Sequence, residues 1–421
     1  MSPESGARAA LRRYWGYEEF RPLQERIIAS LMAGRDVCVV MPTGGGKSLC
    51  YQLPAALEAE RTAVVISPLL ALMQDQVTQL RQMGIAAAML NSSQPAAEQG
   101  RVLAGLRRNA FRLLYLSPER LARPDTWAWL EQLPLSLVAI DEAHCISEWG
   151  HEFRPEYRQL GALRARLPAT PIAAFTASAT RRVRHDILAQ LQLRDPDCAV
   201  ASFHRPNLRY VVRECTAARQ QALLETSVRH QLADSGAGSV IVYAPTIARV
   251  EATAAELSAR GLAALPYHGQ MAADRRRENQ ERWMDDDVRI LVGTLAFGLG
   301  INKAGVRAVI HLALPKSIEQ YYQEAGRAGR DGAPADCLLL WQKRDAALLA
   351  YFCDQVEDPD ERERAWQRYH QIKAFAVSAA CRHRQICTHF GERWRRESCG
   401  ACDVCGYQPE YWRAAPPAPK A

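Results

Sequence analysis

Short apolar runs rich in β-branched residues alternate with longer stretches of helical period along most of this chain. Val37–Met41, Ala63–Ser67, Leu113–Leu116, Leu137–Ile140 and Ile172–Phe175 read as buried strands. Ser48–Glu58, Leu70–Met83 and Arg181–Leu191 read as helices between them. The rhythm then returns, with strands Ser239–Tyr243, Arg289–Val292, Ala308–Leu312 and Cys337–Leu340 and helices Ile247–Arg260, Ala273–Met284 and Ile318–Ala325. Strands alternating with helices form βαβ units, which need a parallel sheet covered on both faces. The pattern predicts an α/β chain of two tandem open sheets of similar size, hinged near Ser202–Asn207. After about Gln342 the rhythm breaks: charge rises over Asp358–Arg364 and cysteines cluster. The closing Ala414-Ala415-Pro416-Pro417-Ala418-Pro419 has no core-forming residues and reads as disordered. The expected boundaries are 1–205 and 206–342 for the two lobes, 343–408 for a small helical metal-binding module, and 409–421 for a disordered tail.

Composition adds bounds rather than direction. A chain of 421 residues suggests two or three domains. Its 48% hydrophobic and 24% charged residues are ordinary for a soluble globular protein. No apolar run is long enough to span a bilayer, and the N-terminus lacks a signal-peptide core. A cytoplasmic protein with no membrane partner is expected. The formal charge of +7 suits a polyanionic partner, but many enzymes carry as much. Arg181-Arg182-Val183-Arg184 and Arg275-Arg276-Arg277 read equally well as solvated helix faces. Twelve cysteines in such a chain argue against a disulfide scaffold, and most sit in apolar strings as small hydrophobes.

Chemistry enters at Pro42-Thr43-Gly44-Gly45-Gly46-Lys47-Ser48, between a predicted strand and a predicted helix. This is the strand–glycine loop–helix order of a P-loop. Glycines let backbone amides turn towards phosphate oxygens, and the helix N-terminus favours an anion. Lys47 would bridge the β- and γ-phosphates and Ser48 would ligate Mg²⁺. The strict pattern has Gly where Met41 stands. About ninety residues on, Asp141 and Glu142 close an apolar run. A strand-end Asp in P-loop enzymes holds Mg²⁺, and Glu142 would orient or deprotonate the attacking water. An exposed acidic turn is the bland alternative. A loop carrying Trp149, His151, Phe153, Arg154 and Tyr157 follows at once, with the residue types that touch bases and phosphates. In the second half, Gln323-Glu324-Ala325-Gly326-Arg327-Ala328-Gly329-Arg330 sets two arginines three apart. Arg330 would act as the finger that stabilises charge on the transferring phosphoryl group, with Arg327 a phosphate contact. Surface salt-bridging is the bland alternative there.

In order and type, these motifs resemble the RecQ-type DNA helicases of helicase superfamily 2, over about residues 14–405. Gly16-Tyr17-Glu18-Glu19-Phe20-Arg21-Pro22-Leu23-Gln24 is similar to that family's adenine-recognition segment. The resemblance implies that Gln24 pairs with adenine, that Tyr17 stacks on it and that Arg21 reaches phosphate. Asn91-Ser92-Ser93-Gln94, Leu116–Leu121 and Phe175–Thr180 fit later elements, with Ser178 where Thr is usual. Phe203–Leu208 resembles the inter-lobe signature. Gly293–Lys303, with Thr294, resembles the motif that joins DNA grip to the γ-phosphate. Tyr267-His268-Gly269 departs mildly from Tyr-His-Ala. The resemblance implies two RecA-like lobes, with one ATP bound between them. It further implies that Trp149, Phe153 and Arg154 sense single-stranded DNA and switch on hydrolysis. Packing of Trp149 and Phe153 beneath the loop is the competing reading.

Cys399, Cys402 and Cys405 stand at C-x2-C-x2-C spacing, and Cys381 lies eighteen positions earlier. Four thiolates would close a tetrahedral, structural Zn²⁺ site. The resemblance places Cys381 as the fourth ligand; Cys387, His383 and His389 are its rivals, and an iron–sulfur cluster is the rival occupant. Larger family members continue into a winged helix and a further helical domain, whereas sixteen residues follow Cys405 here. A naturally short member and a shortened piece both fit. The expected activity is ATP-driven, 3′-to-5′ movement on single-stranded and partial-duplex DNA in repair or recombination. It would need ATP, Mg²⁺ and Zn²⁺, and would belong to a monomer in the bacterial cytoplasm near the nucleoid. A single-stranded-DNA-binding protein is a plausible partner. A DNA-dependent translocase or annealing factor with weak unwinding is the main alternative. A nucleotide-gated DNA adaptor and an RNA helicase are others.

Overall fold

The computed structural model describes residues 3–91, 94–150, 152–233, 238–294 and 303–413. The chain divides into two units, Met1–Ser202 and Phe203–Ala421. In the first, seven parallel strands form one sheet. They are β1 (Val37–Val40), β2 (Thr62–Ile66), β3 (Ala87–Leu90), β4 (Leu113–Leu116), β5 (Leu135–Ile140), β6 (Ile172–Thr176) and β7 (Asp197–Val200), in the order 3-4-2-5-6-1-7. Strands β1 and β5 both pair with β6. Their ends therefore open on the same edge of the sheet, roughly 10 Å apart at two strand spacings. The opposite edge is closed by Asp36, buried just before β1. Its carboxylate accepts from Ile172 N at 2.8 Å, from Arg194 N at 2.7 Å and from the Arg164 guanidinium. This leaves the carboxyl edge of the strands for chemistry.

The two strands that the apolar pattern missed have physical reasons. β3, Ala-Ala-Met-Leu, has no β-branched residue. β7 is an edge strand that alternates buried and exposed residues instead of running apolar.

The second unit holds six parallel strands: β8 (Leu208–Glu214), β9 (Ser239–Tyr243), β10 (Ala264–Tyr267), β11 (Ile290–Gly293), β12 (Val306–His311) and β13 (Ala335–Trp341). Their order is 10-11-9-12-13-8. Both strands absent from the sequence pattern, β8 and β10, are the sheet's edges. β10 carries Pro266, which an edge tolerates because one side of the strand needs no N–H donor. Helices Lys343–Asp354, Pro359–Val377 and Arg382–His389 follow.

The cysteine-bearing segment docks on the β8 edge. Tyr210 N donates to Ala401 O at 3.0 Å, and the Asp403 carboxylate takes Val212 N at 3.2 Å and Arg382 Nε at 2.9 Å. The second unit begins at Phe203, which is stacked on Phe390 at 4.3 Å and whose N–H donates to Glu392. The tail also differs from expectation. Residues from 409 to 413 are ordered: Tyr411 Oη donates to Asp336 at 2.6 Å and Trp412 Nε1 to Ser227 at 2.9 Å. Aromatic anchors hold this stretch, while 414–421 lie outside the described residues. Among the described residues no helix is long and apolar enough to cross a membrane.

Candidate functional site

The glycine loop leaves β1 and opens helix Lys47–Leu57. Gly44 and Gly46 have φ of 81° and 80°, backbone that a side chain would strain. A Cβ on Gly46 would stand 2.4 Å from Gln24 Nε2. Gln24 braces the loop: its Nε2 donates to Gly46 O at 3.1 Å while its Oε1 accepts from Arg21 N at 2.8 Å. The Arg21 guanidinium donates to Gly44 O. Arg21, Gln24 and the glycine loop are thus one bonded unit, and Tyr17 is exposed. Gly45 N donates to Pro42 O at 2.9 Å, and Thr43 completes the turn. Lys47 Nζ donates to Met41 O at 3.2 Å, and Ser48 follows on the first turn of the helix.

At the end of β5, Asp141 N still bonds to Ile66 O at 2.8 Å. Glu142 then turns into the left-handed region, at φ 48° and ψ 43°, and opens the 3-10 turn Ala143–Ile146. Such backbone is costly for a residue with a Cβ and is concentrated at functional sites. Asp141 is buried. Burial pushes its carboxyl up to about 6, the Glu142 charge adds to that, and Lys47 opposes it. Two carboxylates of hard oxygen donors suit a divalent cation, which would favour the charged form. His144 Nδ1 lies 3.3 Å from Glu142 Oε2 and 2.9 Å from Thr176 Oγ1, which ties the end of β5 to the end of β6.

The loop beyond is anchored to the same carboxylate turn. Buried Tyr157 donates its hydroxyl to Asp141 O at 2.9 Å, and Arg154 N donates to Cys145 O at 3.0 Å. Trp149 is half-buried with the Arg182 guanidinium 3.0 Å from its ring centroid, and Arg158 lies 5.7 Å from that of Phe153. The two aromatic rings therefore pack against cations and do not fill a core. Arg154 pairs with Glu152 at 2.9 Å. His151 lies outside the described residues.

In the second unit, Gln323 sits on helix Ile318–Ala325, and Arg327 and Arg330 follow it. Arg205 holds the turn that carries them, donating to Gly326 O at 2.7 Å, Ala328 O at 3.0 Å and Gly329 O at 2.6 Å. Asn207 adds bonds to Gly329 O at 2.8 Å and Ala333 O at 2.9 Å. Arg327 is buried. Burial, then the charges of Arg327 and Arg205, make Arg330 a weaker base than usual. Three guanidiniums are thus gathered around one turn. Thr294 lines a cavity of about 150 Å³ with Tyr243, His311, Lys316, Glu324 and Phe352. Residues 295–302 of its motif lie outside the described residues, as do Ser92 and Ser93.

The sulfurs of Cys381, Cys399, Cys402 and Cys405 all lie within 4.8 Å of one another, and those of Cys381 and Cys402 are 4.0 Å apart. Zinc–sulfur bonds of about 2.3 Å in a tetrahedron give edges of roughly 3.8 Å, so the donor set fits that ion. Arg382 N donates to Cys402 Sγ at 3.4 Å and Ala401 N to Cys399 Sγ at 3.3 Å, the second-layer support that thiolate ligands need. The rival ligands are occupied elsewhere. His383 bonds Arg205 O at 3.1 Å, His389 pairs with Glu319 at 2.6 Å, and Cys387 is buried outside the cluster.

Three family models match in sequence: DEAD/DEAH box helicase over 21–187, helicase conserved C-terminal domain over 221–332, and RecQ zinc-binding over 343–406. An ATP-dependent DNA helicase RecQ from Pasteurella multocida is 42% identical over 402 residues, which cover 96% of this chain and 62% of the relative. That from Bacillus subtilis is 39% identical, over 95% of this chain and 66% of the relative. The chain belongs to the RecQ family of ATP-dependent DNA helicases. It spans a little under two thirds of the length of these relatives. A solved structure, Saccharomyces cerevisiae Dbp5 bound to RNA and ADP BeF3, aligns with a TM-score of 0.64 at 16% identity, covering 88% of this chain and 98% of that one. At that identity the likeness speaks for the two RecA-like lobes alone.

Several residues that organise this RecQ-family site escaped sequence reasoning. His144 and Thr176 lie inside quoted motifs, but no periodicity announces a bond between the ends of β5 and β6. Arg205 and Asn207 read as a hinge, whereas they clamp the carbonyls of the arginine turn. Arg182 read as a solvated helix face, and it is the cation over Trp149.

Proposed function

We propose that this chain is a DNA-stimulated ATPase that moves 3′ to 5′ along single-stranded DNA and unwinds duplex ahead of it, in repair or recombination. The observation that carries the reading is the 2.9 Å bond from Tyr157 to the carbonyl of Asp141, which joins the aromatic loop to the carboxylate turn. In this reading Gly44, Gly45, Gly46 and Lys47 bind the phosphates, with Thr43 in the turn. Tyr17, Arg21 and Gln24 hold the base and brace the loop. Ser48 and Asp141 would ligate Mg²⁺, which supplies charge neutralisation when bound. Glu142 orients or deprotonates the water, and Gln323, Arg327 and Arg330 serve the phosphoryl group from the second lobe. Trp149, His151, Phe153, Arg154 and Thr294 grip DNA and report on it. Cys381, Cys399, Cys402 and Cys405 hold a structural Zn²⁺. The protein is read as a cytoplasmic monomer acting on single-stranded and partial-duplex DNA.

The test compares unwinding of a 3′-tailed and a 5′-tailed duplex with ATP, beside a Lys47→Ala control. Unwinding of the 3′-tailed substrate alone, lost in the control, is expected. Equal activity on both tails contradicts the polarity. Strong DNA-stimulated hydrolysis without unwinding favours a translocase.

A further inference from the structure

Two cysteines outside every motif above stand side by side beneath the phosphate loop. Cys38 is in the middle of β1, two residues before the strand ends, and Cys198 is in β7. The strands are parallel neighbours, and Cys38 and Cys198 are register partners, so both side chains leave the same face of the sheet. Cys38 is 3% exposed, whereas Cys198 is exposed to solvent. An accessible thiol beside a buried one is the arrangement of an attacking and a resolving cysteine. The neighbouring Cys38 thiol, helped by Arg184 and Arg26, lowers Cys198 to about 7 against its burial and the Asp197 charge. The proximity of Cys198 and burial push Cys38 up. A lowered pKa favours the thiolate, the reactive form.

We propose that Cys38 and Cys198 form an oxidation-sensitive dithiol that closes to an intramolecular disulfide when the protein meets a hydroperoxide. The Cys198 thiolate attacks the peroxide, the O–O bond breaks, and Cys198 becomes a sulfenic acid while the peroxide leaves as an alcohol or water. The Cys38 sulfur then attacks Cys198 Sγ, the S–O bond breaks, and water carries away the Cys38 proton. Two thiols lose two electrons and one hydroperoxide is reduced.

Strand spacing makes this disulfide labile. Neighbouring strands lie about 4.8 Å apart, with Cβ atoms of partners at a similar distance, whereas a relaxed disulfide brings Cβ atoms to about 3.8 Å. Closing the bond draws β7 inward by roughly 1 Å, and strained disulfides are the readily reduced ones. β7 can move because it is a four-residue edge strand with β1 as its one partner. It is also wired to the nucleotide loop. Asp197 is held by Arg26 Nε at 3.1 Å and Ser30 Oγ at 2.7 Å, on the helix Gln24–Met32 that braces Gly46. The consequence for nucleotide binding rests on the P-loop reading; the disulfide itself does not.

The test uses the full, zinc-loaded chain treated with hydrogen peroxide, alkylated and cut with trypsin. The peptides covering residues 36–47 and 195–209 each hold one cysteine. A linked species two hydrogens lighter than their sum is expected. It should disappear after glutathione treatment and be absent in Cys198→Ser. In Cys38→Ser, Cys198 should instead accumulate as sulfenic and sulfinic acid. Wild-type protein whose Cys198 over-oxidises without the linked species, or in which neither thiol reacts, overturns the proposal. Binding of a fluorescent ATP analogue is read in parallel. Weaker binding after oxidation, restored by glutathione and unchanged by peroxide in Cys198→Ser, ties the switch to the loop. A linked species with unchanged binding refutes that tie while leaving the disulfide standing.

Discussion

Removing one oxygen, in Tyr157→Phe, separates the loop from the carboxylate turn while leaving both in place. Tyr157 is fully buried, and its hydroxyl is the donor to Asp141 O at 2.9 Å. Phenylalanine keeps the ring and its packing, so the change isolates the bond. A buried hydrogen bond is worth about 0.5–1.5 kcal/mol net, and leaving an acceptor short of a donor costs about 1–3 kcal/mol. A loss of about 1–2 kcal/mol is expected, which in a lobe of this size lowers the melting temperature by about 2–8 °C. The functional effect should be selective. Lys47 and the glycine loop are untouched, so nucleotide affinity should hold while the ratio of DNA-stimulated to unstimulated ATPase falls. Thermal unfolding and steady-state hydrolysis with and without a saturating single strand measure both. A folded variant with the wild-type melting temperature and the wild-type stimulation ratio refutes the idea that the loop leans on Asp141.

Three further changes probe the other parts of the site. Gly46→Ala puts a Cβ 2.4 Å from Gln24 Nε2 at a φ of 80°, so it should abolish ATP-analogue binding while the fold persists by circular dichroism. Arg205→Ala strips donors from the carbonyls of Gly326, Ala328 and Gly329, a cost of about 2–3 kcal/mol at about 1 kcal/mol per bond. Turnover should fall with little change in nucleotide affinity, because the turn it supports carries Arg327 and Arg330. Cys402→Ser removes a fully buried sulfur from the four-cysteine cluster. Since structural zinc supplies about 10–16 kcal/mol of binding free energy in small modules, metal content by atomic emission should fall from stoichiometric and the β8 edge should become protease-sensitive; full zinc retention contradicts the ligand set.

Much of the architecture was legible because parallel sheets buried on both faces leave continuous apolar runs. Strands β1, β2, β4, β5, β6, β9, β11, β12 and β13 carry that mark. The four strands that escaped, β3, β7, β8 and β10, are all edge strands, whose pairing on one side alone permits alternation or proline, and β3 also carries two alanines. The phosphate loop and the carboxylate pair were legible because their chemistry is local in sequence. The clamp by Arg205 was not, since it reaches more than a hundred residues along the chain. The tail shows a limit of composition: a proline- and alanine-rich end hid the aromatic anchors Tyr411 and Trp412 just before it. The partner of Trp149, Arg182, was likewise invisible, because a charge run on a helix looks the same whether it meets water or an indole.

In the proposed function the aromatic loop transmits DNA binding to hydrolysis. Trp149→Ala is the direct test, because the ring carries the Arg182 contact and lies outside the phosphate loop in sequence. ATPase rates should be measured with and without single-stranded DNA, alongside ATP-analogue binding and thermal unfolding. Wild-type nucleotide affinity and unstimulated rate, with DNA stimulation lost, is the predicted result. A folded Trp149→Ala protein that DNA still stimulates as fully as the wild type would contradict it.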